Sequence, residues 1–172
     1  MKNKGFTLVE LIVVITILAI VITVSVSSVL VYIIKSKSNS DDSSVAIINS
    51  YLSSITNLDS IKSISYNTDY IGRQYLFVWK DELFKTSVSY SSVPSEISGI
   101  INTLAEKRLP ESKTEDGFVI LIRVNRGSLD ASCYTTYDFD TTNTHINGSY
   151  SVPNTGIYCY EVTSSGSLQK KD

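Results

Sequence analysis

MKNKGFTLVELIVVITILAIVITVSVSSVLVYII, residues 1–34, is the stretch that decides the fold, because a short basic leader runs into a long apolar segment. Two lysines precede Gly5-Phe6, and Glu10 carries the only charge between Phe6 and Ile34. A charged side chain in a membrane helix costs about 2.5–3.5 kcal/mol near the bilayer centre and less near its edge. We therefore take Glu10 as a candidate functional residue whose partner must be named.

The pattern of residues 2–10, Lys-Asn-Lys-Gly-Phe-Thr-Leu-Val-Glu, followed by an apolar helix, resembles the N-terminus of the type IV prepilins. These are precursors of the subunits of type IV pili and of the related secretion and DNA-uptake pseudopili. The resemblance covers residues 1 to about 60. It implies cleavage between Gly5 and Phe6, before the apolar segment, and N-methylation of the new α-amine on Phe6, which keeps its positive charge.

An ordinary secretory signal has its cleavage site after the apolar region, next to small residues. Here the residues that follow are Lys35-Ser36-Lys37-Ser38, which contain no such site. A plain signal anchor with a coincidental motif is the alternative to the prepilin interpretation.

The resemblance also implies a role for Glu10. In a bundle of such helices, its carboxylate can meet the Phe6 ammonium of a neighbouring subunit, so that each charge offsets the desolvation of the other and the pair fixes the axial register. Removing one partner of a buried pair costs about 3–5 kcal/mol. The alternative is that Glu10 lies in the lipid headgroup layer.

The apolar segment from Phe6 to Ile34 has 29 residues. A helix of that length is about 43 Å long, which exceeds the hydrocarbon core of about 30 Å. Many type IV pilins carry a proline in this helix, whereas Thr23–Ser28 has three serines, β-branched residues and no proline. We hypothesise that this weak stretch is the easiest to unwind on filament assembly.

The polar residues 35–44 are either a flexible linker or the exposed part of one long helix. Apolar residues then recur every three or four positions, which predicts an amphipathic helix, at Val45, Ile48, Leu52, Ile55, Leu58 and Ile61. We expect a leader at 1–5, a hydrophobic transmembrane and assembly helix at 6–34, an amphipathic second half of that helix at 35–62, and a globular head at 63–172.

The head is predicted to hold short strands and one further helix. The strands are expected at Tyr75–Trp79, Leu83–Tyr90, Phe118–Val124, Ala131–Phe139 and Ile157–Val162. The helix is expected to begin at Pro94, to bury Ile97, Ile100, Ile101 and Leu104, and to end at Pro110. The fold class is therefore α+β, with a long N-terminal helix packed on an antiparallel sheet in a type IV pilin-like arrangement.

Cys133 and Cys159 are the only cysteines, and both lie in predicted strands on the side expected to be outside the cell. An oxidising exterior favours a disulfide between them, as many type IV pilins have near the C-terminus. Two buried free thiols are the alternative.

The sequence contains few patterns that indicate catalysis, metal binding or nucleic-acid binding. The net charge of −2 argues against a nucleic-acid-binding surface. His145 lies in a polar loop without metal-ligand spacing. Asp138-Phe139-Asp140 with Asn143 could donate oxygens to calcium, but it lacks the glycine and glutamate of an EF-hand loop, and a solvated loop is the alternative. We expect no catalytic residue, no metal and no cofactor, and hence no enzyme.

The resemblance implies a structural subunit of a type IV pilus that serves adhesion or surface motility. Its expected partners are other pilins, a prepilin peptidase, the assembly machinery and, before assembly, the cytoplasmic membrane. After assembly it is expected in an extracellular filament. The alternatives are a pseudopilin of a secretion or DNA-uptake system, or a membrane-anchored binding domain that does not polymerise.

Overall fold

The computed structural model describes residues 7–80, 90, 92–107, 112–114, 117–153 and 156–171, without the side chains of residues 23–28. Helix α1 spans Leu8–Ile55, and the chain divides into two compact units, Met1–Ser38 and Asn39–Asp172. The predicted strand at Leu83–Tyr90 and the predicted helix end at Pro110 fall outside the described residues, Tyr90 excepted.

The first unit is helical in all its described residues but Thr7. The backbone of residues 23–28 belongs to α1, and so do residues 35–44, which are helical rather than a linker. Among the described residues, we find no helix with both the length and the apolar character that crossing a membrane requires.

The second unit begins within α1, where an amphipathic pattern replaces an apolar one. Ile48, Leu52 and Ile55 are buried in the core, which confirms the predicted helical face over that part. The helix ends at Ile55. Leu58 therefore lies outside α1, just before a separate short helix, α2, Asp59–Lys62, and it is half exposed. A 3-10 helix at Ser63–Tyr66 follows.

The sheet has five antiparallel strands in the order β3-β2-β1-β4-β5, which confirms the predicted α+β class. Its strands are β1 Gln74–Trp79, β2 Phe118–Asn125, β3 Ser128–Thr135, β4 Tyr158–Val162 and β5 Leu168–Lys171. Two further helices are α3, Ser95–Ala105, and α4, Thr136–Thr142.

Successive side chains of a strand point to opposite faces, and here both faces are buried. On β1, Phe77 and Trp79 share a core with α1 and α3, whereas Leu76 and Val78 share another with Phe139 of α4. The hairpin between β2 and β3 turns at Arg126-Gly127.

The predicted strand Ala131–Phe139 is only partly correct. β3 begins earlier, at Ser128, and ends at Thr135, where α4 begins. The side chain of Thr135 accepts a hydrogen bond from the Asp138 N–H and donates one to the Asp138 carboxylate, at 3.1 and 2.8 Å. This cap starts a helix inside an aromatic run that resembles a strand.

The structure corrects the predicted disulfide, because Cys133 and Cys159 are both buried free thiols. The strand register places Cys133 beside Ile120, Ile120 beside Phe77, and Phe77 beside Cys159. Three steps between strands amount to about 14 Å, whereas a disulfide joins Cα atoms at most about 7 Å apart. Burial also raises the pKa of both thiols, that of Cys159 to about 12.

Candidate functional site

The start of α1 is built by Thr7 and Glu10. The Thr7 N–H and the Thr7 hydroxyl both donate to Glu10 Oε2 at 2.8 Å. In return, the Glu10 N–H donates to Thr7 Oγ1 at 3.3 Å. This is a capping box, in which the N-cap hydroxyl and the carboxylate three residues later satisfy each other's backbone donors. It fixes the Glu10 carboxylate at the N-terminal end of the apolar helix.

The apolar side chains that follow this cap are exposed. They are at least 43% accessible at every large apolar position from Leu8 to Ile22 and from Val29 to Ile34. A helix that is apolar all round is normally found in the core of a protein or in a membrane. The first unit therefore presents a surface suited to lipid or to other apolar helices.

The sequence-predicted site residues are only partly described. Gly5 and Phe6 lie outside the described residues, so nothing of their geometry is stated. Glu10 is described, and its observed partner is Thr7 of the same chain. The sequence analysis missed Thr7, although the spacing Thr-x-x-Glu before an apolar run is the usual signature of a capping box.

Comparison with protein families finds a match to the prokaryotic N-terminal methylation motif over residues 1–26. The chain carries a type IV prepilin-like signal motif. Comparison with curated proteins and with solved structures finds no match.

The prepilin-like motif supports a precursor of the type IV pilin or pseudopilin type. It implies processing by a prepilin peptidase and assembly with other pilins, and it points to a structural rather than an enzymatic protein. A membrane-anchored precursor followed by an extracellular filament is the route that such a motif suggests.

Within the second unit of this prepilin-like chain, a buried carboxylate of α1 accepts hydrogen bonds from a distant segment of the chain. Asp41 is the first buried residue of α1 among those described, and Lys113 and Thr114 donate their backbone N–H groups to it at 2.7 and 3.0 Å. The hydroxyls of Thr114 and Ser112 add hydrogen bonds at 2.7 and 3.0 Å. Burial opposes ionisation of Asp41, but these hydrogen bonds outweigh it and hold the pKa of the carboxyl below its usual value.

The sequence analysis missed Asp41 as well. It lies seven residues before Ile48, on the same helical stripe as the buried apolar residues, and that position was the available signal. An acidic residue on a buried stripe needs donors, and residues 112–114 supply two hydroxyls and two N–H groups.

The polar residues between Asp138 and Asn143 that resemble part of a calcium loop have partners within the protein. Asp138 accepts a hydrogen bond from the Thr135 hydroxyl at 2.8 Å, Asp140 accepts one from Tyr150 at 2.8 Å, and Asn143 accepts one from Arg123 at 3.1 Å. These oxygens are thus directed to separate partners. Across the described part of the chain, no three His, Cys, Asp or Glu residues form a group that could hold a metal ion.

Proposed function

We propose that the chain is a structural subunit of a type IV pilus, cut after Gly5 and polymerised through its N-terminal helix. The observation that carries the proposal is the exposed, apolar first part of α1, which begins at a fixed carboxylate. A membrane would hold that surface before assembly, and neighbouring helices would cover it afterwards. Lipid and a helix bundle are similarly apolar, so packing and polar pairing decide between them.

In this proposal the hydrophobic helix comprises residues 6–34, and the head faces outward to serve adhesion or surface motility. The Glu10 carboxylate pairs with the methylated Phe6 ammonium of the next subunit. Thr7 holds that carboxylate in the unassembled chain through Oε2, and Oε1 can accept from the ammonium of the next subunit while those hydrogen bonds persist.

Cleavage after Gly5, the first step of the proposal, can be tested with purified components. We would incubate the full chain in detergent with a prepilin peptidase and a methyl donor, and determine the intact mass and N-terminal sequence. The expected product begins with N-methylated Phe6. Gly5→Leu should block cleavage, whereas Thr7→Ala, on the other side of the cut, should leave it intact. An uncut wild-type chain would leave a signal-anchored domain as the better interpretation.

Deleting this chain in its native cell distinguishes a pilus subunit from a pseudopilin. Loss of surface filaments, with the chain present in sheared surface material, is the result expected for a pilus subunit. Retained filaments with failed export or DNA uptake would identify the pseudopilin alternative instead.

A further inference from the structure

Strand β3 forms one edge of the sheet, and α1 covers part of that edge through the side-chain amide of Asn49. Asn49 Oδ1 accepts the Cys133 N–H at 2.7 Å, and Asn49 Nδ2 donates to the Cys133 carbonyl at 3.1 Å. Cys133 therefore directs both backbone groups away from β2. Because the direction alternates along an antiparallel strand, Ala131 and Leu129 direct theirs to the same open side.

The residues that follow Asn49 do not close this edge. Ser53 lies four residues after Asn49 on the same face of α1, and Asn57 lies just beyond Ile55, where α1 ends. The Ser53 side chain is shorter than that of Asn49, and Asn57 Nδ2 donates to the Ser53 carbonyl at 2.7 Å. Within the described residues, the outward N–H and C=O groups of Ala131 and Leu129 have no hydrogen-bond partner.

A groove of about 520 Å³ lies between the end of α1 and this edge. Its wall is polar, and it is formed by Ser53, Thr56 and Asn57 on one side and by Ser128 and Ser132 on the other. A strand edge with unpaired backbone groups is a template for another extended chain. The groove therefore has the chemistry that recognises a peptide backbone.

The charges of the groove favour an acidic ligand. Lys62, Arg123 and Asp130 line it, which leaves one net positive charge. Asp130 already accepts a hydrogen bond from Asn125, and Arg123 donates to Asn143 at 3.1 Å. The Lys62 ammonium has no ion pair among the described residues. A carboxylate on the ligand would supply that missing partner.

We propose that this groove binds a short, extended, acidic peptide segment, which adds a strand to β3 at Leu129 and Ala131. Backbone hydrogen bonds supply the affinity, and Lys62 selects for a carboxylate. The groove lies wholly within the second unit, so the proposal does not depend on filament assembly.

The probe is a blocked hexapeptide of alternating Thr and Glu, added to the full chain in zwitterionic micelles at neutral pH. Saturable binding is expected, with slowed hydrogen exchange at Leu129 and Ala131. Lys62→Gln should weaken binding by about two- to fivefold, the range of an exposed ion pair. Lys37→Gln removes the same charge outside the groove and should change nothing.

Two variants test the geometry. Ala131→Pro deletes an N–H that faces solvent, where proline is tolerated at a strand edge, and should weaken binding by about tenfold or more. Ser53→Asn repeats Asn49 one turn later and should close the groove. Trp79, buried and the only tryptophan, reports by fluorescence that each variant is folded.

The proposal is overturned by absence of binding at about 1 mM peptide, or by binding that neither folded variant weakens. It is also overturned if exchange slows at a different strand. Protection of Leu129 and Ala131 that rises with protein concentration, without peptide, would show that a second copy of the chain occupies the edge instead.

Discussion

Thr7 and Glu10 are bound to each other by three hydrogen bonds, two of which end on the same carboxylate oxygen of Glu10. The carboxylate thus has two possible tasks: to cap its own helix, and to meet a cation on a neighbouring subunit. The two tasks make different demands, because a cap needs only an acceptor whereas an ion pair needs the charge.

Glu10→Gln separates the two tasks. Glutamine also completes a capping box, so the variant should keep the start of α1 while losing the charge. We expect normal hydrogen exchange at residues 8–11 in micelles but loss of filaments in the cell. Thr7→Ala should do the reverse, weakening the helix start by about 1 kcal/mol while filaments persist. Filaments of normal yield from Glu10→Gln would contradict the proposed pairing.

Asp41→Asn should destabilise the second unit by about 1.5–3 kcal/mol, the usual value for hydrogen bonds to a charged group. Trp79 fluorescence during denaturation of the full chain measures this. Asp42→Asn is the matched control, because Asp42 is the exposed neighbour on the same helix. An equal effect of both substitutions would mean that net charge, not the Asp41 contacts, is responsible.

Acid should weaken the same contacts. Because the pKa of Asp41 is lowered in the folded chain, its stabilising contribution is complete above the pKa of an unfolded aspartate, about 3.9. The contribution is lost as the pH falls through the folded pKa. The difference in stability between wild type and Asp41→Asn should therefore shrink below about pH 4. A difference that stays constant down to pH 2 or so would exclude ionisation of Asp41 as its source.

Cys133 and Cys159 should remain reduced and unreactive in the folded protein. A buried thiol with a raised pKa has little thiolate to react, so iodoacetamide should modify both only after denaturation. Ser60→Cys places a thiol at an exposed site and should react at once. Mass spectrometry of native material counts the adducts. An oxidised Cys133–Cys159 pair in that material would show a strand order different from the one described.

Gly117 and Gly72 share a φ of +88° but differ in their surroundings. A Cβ on Gly117 would lie 2.6 Å from the Trp79 carbonyl oxygen, whereas one on Gly72 would meet nothing within 4 Å. Gly72→Ala should cost about 1–2 kcal/mol for the backbone conformation alone. Gly117→Ala should cost clearly more, and denaturation followed through Trp79 measures both. Equal losses would mean that the chain near Gly117 yields without strain.

Residues 23–28 are helical in the single chain. Our hypothesis places their unwinding at filament assembly, when the helix leaves lipid. A filament map at side-chain resolution is the appropriate measurement, and a continuous helix through Ser28 in the filament would end the hypothesis.

The sequence predicts elements whose pattern is local. Phe118–Val124 is a continuous apolar run bounded by turn residues, and the structure has a strand there. The face formed by Ile97, Ile100, Ile101 and Leu104 is buried as the helical spacing predicts. In both cases the residues that determine the structure lie within one element.

The sequence does not predict the features that depend on contacts between residues far apart in the chain. Strand β5, Leu168–Lys171, is short and half lysine, and it exists because β4 pairs with it. The separation of Cys133 from Cys159 depends on which strands lie between them, and strand order is not visible in spacing. The hydrogen bonds between Asp41 and residues 112–114 join positions more than 70 apart, so only the fold brings them together.

Asn49 and Cys133 are in contact but lie 84 positions apart, so the ribosome makes Asn49 well before its partner. Ribosomes add roughly 5–20 residues per second, so about 4–17 s pass between synthesis of the amide and synthesis of its partner. For most of that interval β1 and β2 have not both been made, so the buried stripe of α1 has no complete sheet to cover it. We expect the translocation machinery or a chaperone to shield this helix until the last strands are made.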